Sequence, residues 1–505
     1  MQAVKMKNRS KLSNLSATIV RGAAILAALS GGLMAARPAQ AQTEAALYNF
    51  AGTPDGENAY GGITFNGGNI FGTTYDGGLY GYGSVFELTP NGSGGWNESV
   101  LYSFCAVAPA CSDGQNPTFG SVVFDANGNL YGTAYAGGSD GNGVVFELSP
   151  PASGSTTWTY HSVYSFTGEP DAANPVNGLI IDGSGDLFGT AYNGGAANNG
   201  AVFEVSPNGS GGWTETVPAS INALYGGLVM NSTGVIFGTT STTVFELGKN
   251  SGGTWVELPI FTFTASEAAA EGEEPNGTLW LDSKGNLYGT TVEGGKNNDG
   301  VVYKLTLQTN GSYKYKVLYT FGAAGTMPYA GVVGDANGNL YGTTTKGGKD
   351  GAGTVYTLAY NATSGAYAER TSQNFIGENG AVPYAGVIYN GGYLYGTTYL
   401  GGSDGDGLVY QVNPAASVTK TTCVSSVNPS TLGEAVTFTA TVTPAPPDGE
   451  PIVFEPVGQS NMVGGVATFT VSDLKAGKTN ITAVYGGDLN FLTSHSVTFQ
   501  QVVTK

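Results

Sequence analysis

Histidine is nearly missing from this chain, with only His161 and His495 in 505 residues. A Ser-His-Asp relay or a His-built metal centre therefore has almost no parts to use, and Cys-His nucleophilic catalysis is equally short of them. Charge is scarce too, at 11% of residues, and lopsided: 37 acids stand against 19 bases. A surface of that sign is a poor partner for nucleic acid or anionic membrane. Cysteine is limited to Cys105, Cys111 and Cys423. The first two lie six positions apart in one loop-like stretch, where export would favour a local disulfide; two unpaired thiols are the other reading. No P-loop occurs, and the short Gly-x-Gly runs fall in hairpin turns rather than between a strand and a helix, so they carry no dinucleotide signal.

Long apolar runs are also lacking. The run over 22–36 follows Lys5, Lys7, Arg9, Lys11 and Arg21 and precedes Ala39-Gln40-Ala41. That order reads as a secretory signal over 1–41, too short and glycine-broken for a membrane span. The segment holds six of the 19 bases and none of the acids, leaving 13 bases against 37 acids, a formal charge of −24. The expected product is soluble and monomeric, not inserted in a membrane after signal removal, and secreted or held at the cell surface or in the periplasm.

What the chain has in quantity is glycine and aromatic rings: 81 Gly, 29 Tyr and 22 Phe. They fall into a pattern. Tyr-Gly-Thr-Thr or a near copy occurs seven times, centred on Gly72, Gly132, Gly189, Gly238, Gly289, Gly342 and Gly396, at intervals of 60, 57, 49, 51, 53 and 54 residues. Such a period marks a supersecondary unit that cannot bury its apolar face alone.

The second copy shows what the unit is. Residues 120–125 read as a short apolar strand, and Ala126-Asn127-Gly128-Asn129 as hairpin chemistry, because Asn and Gly tolerate positive φ. Strands over 130–135, 144–148 and 158–166 follow. Four antiparallel strands repeated radially form a propeller blade. Glycine inside the second strand weakens it and calls for a close aromatic neighbour; Tyr131 and Phe146, with their equivalents Tyr288 and Tyr303 or Tyr395 and Tyr410, are candidates. The seventh unit stops after its third strand at Val412, whereas Ala46-Leu47-Tyr48-Asn49-Phe50 has the pattern of a fourth strand. An N-terminal strand that completes the last blade would remove exposed sheet edges. Beyond Pro414-Ala415-Ala416, alternating strands over 435–443, 466–471, 480–485 and 497–503 suit a small β-sandwich.

Gly285-Asn286-Leu287-Tyr288-Gly289-Thr290-Thr291 and Gly338-Asn339-Leu340-Tyr341-Gly342-Thr343-Thr344, with the Gly-Gly and Gly-x-Val-Phe-Glu-Leu pieces that follow such copies, resemble the GloVer tandem repeat of bacterial exported proteins over roughly 45–415. Val436-Thr437-Phe438-Thr439-Ala440-Thr441-Val442 and Ile481-Thr482-Ala483-Val484-Tyr485-Gly486-Gly487-Asp488 resemble a bacterial Ig-like repeat domain, which implies a spacer or adhesive role. Neither resemblance brings catalytic residues. The expected architecture is all-β: a signal over 1–41, a seven-bladed propeller over 42–416 closed by its N-terminal strand, and an Ig-like sandwich over 417–505.

Function must then sit where the copies differ. In a propeller, the loops leading into each blade and those joining its second and third strands emerge on one face. Acids collect in both sets, Glu169, Asp171 and Glu378 in the first and Asp140, Asp299, Asp350, Asp404 and Asp406 in the second. They could present acceptors to sugar hydroxyls. Ser139-Asp140-Gly141-Asn142, Asn297-Asn298-Asp299-Gly300 and Ser403-Asp404-Gly405-Asp406 have oxygens suited to calcium, although tight turns select the same residues without an ion, and no cofactor is expected. Tyr80 and Tyr82 occupy a loop where other units have Asp, Asn or Ser, and Tyr329 and Tyr384 follow prolines in lead-in loops. Such rings suit sugar faces or a peptide; core packing competes for the latter pair. Glu87, Glu147, Glu204 and Glu246 recur after Phe in the third strand and read as structural hydrogen-bond formers. The expected function is a non-catalytic propeller that binds a glycan or protein ligand at its loop face. The alternatives are a propeller polysaccharide lyase or glycoside hydrolase, working through a carboxylate pair, and a purely structural envelope component.

Overall fold

The computed structural model describes residues 44–107, 110–118, 120–222, 226–264, 267–417 and 419–505. The signal read over 1–41 lies outside them. No helix among the described residues is long and apolar enough to cross a membrane, and the only helical piece among them is the single turn Ala268–Glu271.

Seven antiparallel sheets succeed one another along the chain, each carrying one copy of the repeat; six have four strands, and the third gains a fifth, Ala172–Pro175. In the second sheet the order is Val123–Phe124, Leu130–Ala134, Val144–Ser149 and Thr159–Ser165. The innermost strand is shorter than the sequence pattern suggests. Its leading glycine, Gly120, runs so close to Gly178 of the next unit that a Cβ there would strike backbone, so the chain climbs the wall of the axis before it enters the sheet. Closure is as expected. Glu44–Asn49 pairs with Leu408–Val412 and supplies the fourth strand of the last sheet. A bulge in that strand between Ala46 and Tyr48 repeats the bulges of the other outer-strand pairings, such as Val145/Phe146 and Val302/Tyr303.

The repeated motif explains itself in this setting. A Cβ on Gly132 would lie 2.5 Å from Cζ of Phe146, which is 0% exposed. Gly72, Gly189 and Gly238 face Phe86, Phe203 and Phe245 in the same way, and Gly289, Gly342 and Gly396 face Tyr303, Tyr356 and Tyr410. Only glycine lets the third-strand ring cross the second strand. The next residue ties sheets together. Thr133 Oγ1 donates to the Asn177 carbonyl at 3.0 Å, Thr290 to Ala330 at 2.8 Å and Thr343 to Ala385 at 2.9 Å. Thr397 makes the same bond to Gly61 at 2.8 Å, joining the last unit to the first.

The remaining residues form sheets of three and six strands around a separate core that includes Phe438, Phe454, Ile481 and Tyr485. Val436–Thr443, Val466–Val471, Gly477–Tyr485 and Phe499–Thr504 answer to the four strands read from sequence, and Lys420–Ser425 and Pro451–Glu455 are added to them. Asn490 holds this unit to the propeller's end, accepting from Asn413 Nδ2 at 3.0 Å and from the Ser417 amide at 2.7 Å.

Candidate functional site

A cavity of about 880 Å³ opens along the propeller axis. Its wall includes Ile63, Leu179, Leu228, Leu279, Val332 and Val387, each directly before the innermost strand of its sheet. Its mouth is aromatic. Tyr60, Tyr329 and Tyr384 reach it from lead-in loops, and Tyr75, Tyr135, Tyr192 and Tyr399 from the end of the second strand, at the fifth place of the repeat motif. That place is taken by Ser241, Val292 and Thr345 in the fourth to sixth units. The tyrosines therefore form an arc, and Ser241, Glu274 and Asn276 occupy the gap.

The lead-in loops are aimed by one backbone device. Asn58, Asn116, Asn174, Glu274, Met327 and Val382 occupy one site in each loop and all have φ between +54° and +59°. The asparagines fit this left-handed conformation, whereas a β-branched valine is strained in it. Asn58, Asn116, Asn174, Met327 and Val382 each dock on the preceding unit: the Asn58 amide donates to the Asp406 carbonyl at 2.8 Å and Met327 to Asp299 at 3.2 Å. Two residues further on, Tyr60, Tyr329 and Tyr384 are thereby turned into the mouth.

The rings support one another. Tyr60 stacks on Tyr384 with centroids 4.6 Å apart and meets Tyr399 edge-on at 4.9 Å. Tyr329 and Tyr399 each meet Tyr384 at 5.6 Å. Burial is the main reason their hydroxyls hold protons tightly. Tyr399 is pushed up to about 12, with Asp76 adding to the effect, and Tyr329 also to about 12, with help from Tyr384 and then Glu274 and Glu293. The Tyr60 and Tyr384 hydroxyls are raised by burial as well. Asn276 Oδ1 is shielded from solvent and accepts no hydrogen bond. No lysine, arginine or histidine lines the cavity among the described residues.

Of the ligand residues expected from sequence, the structure brings Tyr329 and Tyr384 to this mouth. Tyr80 and Tyr82 stand further out on an exposed loop. Asp140, Glu169, Asp350, Glu378 and Asp404 are exposed, Asp299 and Asp406 half-buried, and none of these lines the cavity. Asp171 has a different task. Its carboxylate accepts from Tyr164 Oη at 3.1 Å, from the Thr167 amide at 2.7 Å and hydroxyl at 2.9 Å, and from the Ala172 amide at 2.6 Å. Asp55 and Asp113 cap their loops in the same manner through Tyr48 and Tyr102. An acid that answers an outer-strand tyrosine is thus loop structure rather than an open acceptor. Asp140 and Asp404 each accept from the preceding serine hydroxyl at 2.6 Å. No three or more His, Cys, Asp or Glu side chains among the described residues are gathered to hold a metal ion.

Cys105 and Cys111 form a disulfide, and Cys423 is free. The recurring third-strand glutamates are structural but not uniform: Glu87 accepts from Asn69 at 2.7 Å, Glu147 from Ser149 at 2.7 Å, and Glu204 from Thr216 at 3.0 Å. Sequence reasoning missed Tyr60, Tyr75, Tyr135, Tyr192 and Tyr399. For the last four the usable signal was the fifth motif position, which alternates between tyrosine and small or aliphatic residues.

Among solved structures, virginiamycin B lyase from Staphylococcus aureus is similar over 73% of this chain and 97% of its own, with 12% identity and a TM-score of 0.45. The extracellular domain of a hybrid two-component system from B. thetaiotaomicron is similar over 91% and 59%, with 11% identity and a TM-score of 0.46. A polysaccharide lyase that acts on ulvan is similar over 84% and 94%, with 10% identity and a TM-score of 0.32. None is close enough to inform function. No curated protein matches the chain. Residues 423–504 match the bacterial Ig-like domain (group 3). With matches over 21–162, 93–254 and 225–441, the chain belongs to the Gloeobacter/Verrucomicrobia repeat family.

Proposed function

We propose that this protein is an exported binding propeller whose central mouth takes an uncharged glycan, with the Ig-like unit as spacer. The observation that carries the reading is the tyrosine arc beside a polar notch in a cavity without a cationic side chain. Tyrosine rings offer flat apolar faces to sugars while their hydroxyls and nearby amides meet sugar hydroxyls. Binding fits better than catalysis, because among the described residues Glu274 is the one acid in the cavity lining and no second carboxylate stands there to complete an acid–base pair.

The test is calorimetric titration of the full chain with neutral oligosaccharides of defined linkage, alongside assays for reducing ends and unsaturated products. Tyr329→Ala is expected to weaken binding at least tenfold, because it removes one ring face, with some loss of Tm from its contact with Tyr384 but a folded protein at the assay temperature. Unaltered affinity in that variant, or turnover by the wild-type protein, refutes the reading.

A further inference from the structure

The mouth does not stop at the axis. Leu79, Tyr80 and Tyr82, on the loop after the first repeat's second strand, are 58%, 46% and 42% exposed. Turn chemistry does not ask for them: Gly78 and Gly81, at φ +68° and +80°, supply the conformation, and other units put Ser, Asp and Asn at the tip. Nor is the loop loose. The Leu79 amide donates to Ser103 Oγ at 3.0 Å, Gly83 to the Gly77 carbonyl at 3.1 Å, and Asn116 to the Tyr82 carbonyl at 2.8 Å.

Asn116 makes the connection inward. While its amide holds Tyr82, its side-chain nitrogen donates to the Tyr75 carbonyl at 3.0 Å and to Asp76 Oδ1 at 3.2 Å. Tyr75 lines the mouth and meets Tyr60 at 6.0 Å between ring centroids. A line of rings interrupted by polar groups thus leads from Tyr60 through Tyr75, past Asn116 and Asp76, to Tyr82 and Tyr80. On the far side, the disulfide-closed loop presents Val107, 52% exposed. Its amide is fixed on Asp113, the acid that also accepts from Tyr102.

Charge narrows the occupant. The chain has no lysine or arginine between Arg37 and Lys249, so the first three sheets offer no cation to a polyanion. The acids along the path are already engaged, Asp113 by Tyr102, Ala106 and Val107, and Asp76 by Asn116, which leaves no open carboxylate row for a basic peptide.

We infer that the ligand is an uncharged polysaccharide chain running from the mouth outward over the first sheet's loop, with Tyr80 and Tyr82 as an outer subsite. This rests on the glycan reading of the mouth. The outer rings add affinity only for chains long enough to reach them, since a second contact on a tethered ligand is effectively intramolecular.

The experiment measures dissociation constants of the full chain for neutral oligosaccharides from two to eight units and for the matching polymers, with alginate and polylysine as charged probes. Affinity is expected to rise at least tenfold with length. The double variant Tyr80→Ala, Tyr82→Ala is expected to lose that rise, keep wild-type affinity for the shortest binding oligomer, and keep its Tm. Length-independent binding, or a rise that survives in the double variant, overturns the outer subsite and leaves the mouth reading standing. No binding of any neutral glycan, or binding of polylysine or alginate alone, overturns both.

Discussion

Gly132→Ala tests whether the repeated motif is scaffold. The new methyl would lie 2.5, 2.9 and 3.3 Å from Cζ, Cε1 and Cε2 of Phe146, against ordinary carbon contacts of about 3.5–4.0 Å. Phe146 has little room to retreat, being fully buried with Phe104 at 5.1 Å and Tyr160 at 6.4 Å. Overpacking of this kind costs about 1–3 kcal/mol. Alanine also recovers about 0.5–1 kcal/mol of the strand penalty that glycine carries, so the two effects oppose. The net expectation is a loss of about 1–2 kcal/mol, or a fall in Tm of roughly 1–3 °C in calorimetry for a propeller of this size. Gly183→Ala is the control. Gly183 meets nothing within 4 Å of a Cβ and has no positive φ, and its substitution is expected to be neutral or slightly stabilising. Phe146→Leu should rescue Gly132→Ala, with a coupling of at least about 1 kcal/mol in the double-mutant cycle. A neutral or stabilising Gly132→Ala, or strict additivity with Phe146→Leu, would refute the role assigned to the motif.

Ring closure and acidity give two further expectations. Thr397→Val removes the bond to Gly61 that joins the last unit to the first, and should cost about 1 kcal/mol, as should Thr290→Val at an ordinary joint; an unchanged Tm in Thr397→Val alone would count against a closed ring. Glu215 is pushed up to about 8, chiefly by burial and then by Asp171. The folded acid keeps its proton while the unfolded chain, near its ordinary value of about 4.5, sheds it, so stability falls as pH rises from about 4.5 to 8. Glu215→Gln should therefore raise Tm at pH 8 and hardly change it at pH 5, and equal shifts at both pH values would remove the titration from the account.

The blades were legible because their causes are local. Asn-Gly turns, period-two strands and a glycine opposite an aromatic recur within each unit, so residues 120–166 already describe what the other copies do. Even closure could be read, from the fourth-strand pattern around Tyr48. The candidate site was less accessible. Tyr329 and Tyr384 were marked by the prolines before them, whereas the acids of the loops were grouped by abundance, and Asp171 proved to be engaged by Tyr164 and its own loop.

By itself the sequence determined the repeated sheet, the pairing of its strand glycine with an aromatic ring, and a surface poor in cations. Only the tertiary structure decided which rings meet. Tyr60 and Tyr384 stack although they come from opposite ends of the propeller sequence, because closing the ring brings the first and last lead-in loops to one axis. Local propensity carries no information about that meeting; it follows from the strand Glu44–Asn49 pairing with Leu408–Val412.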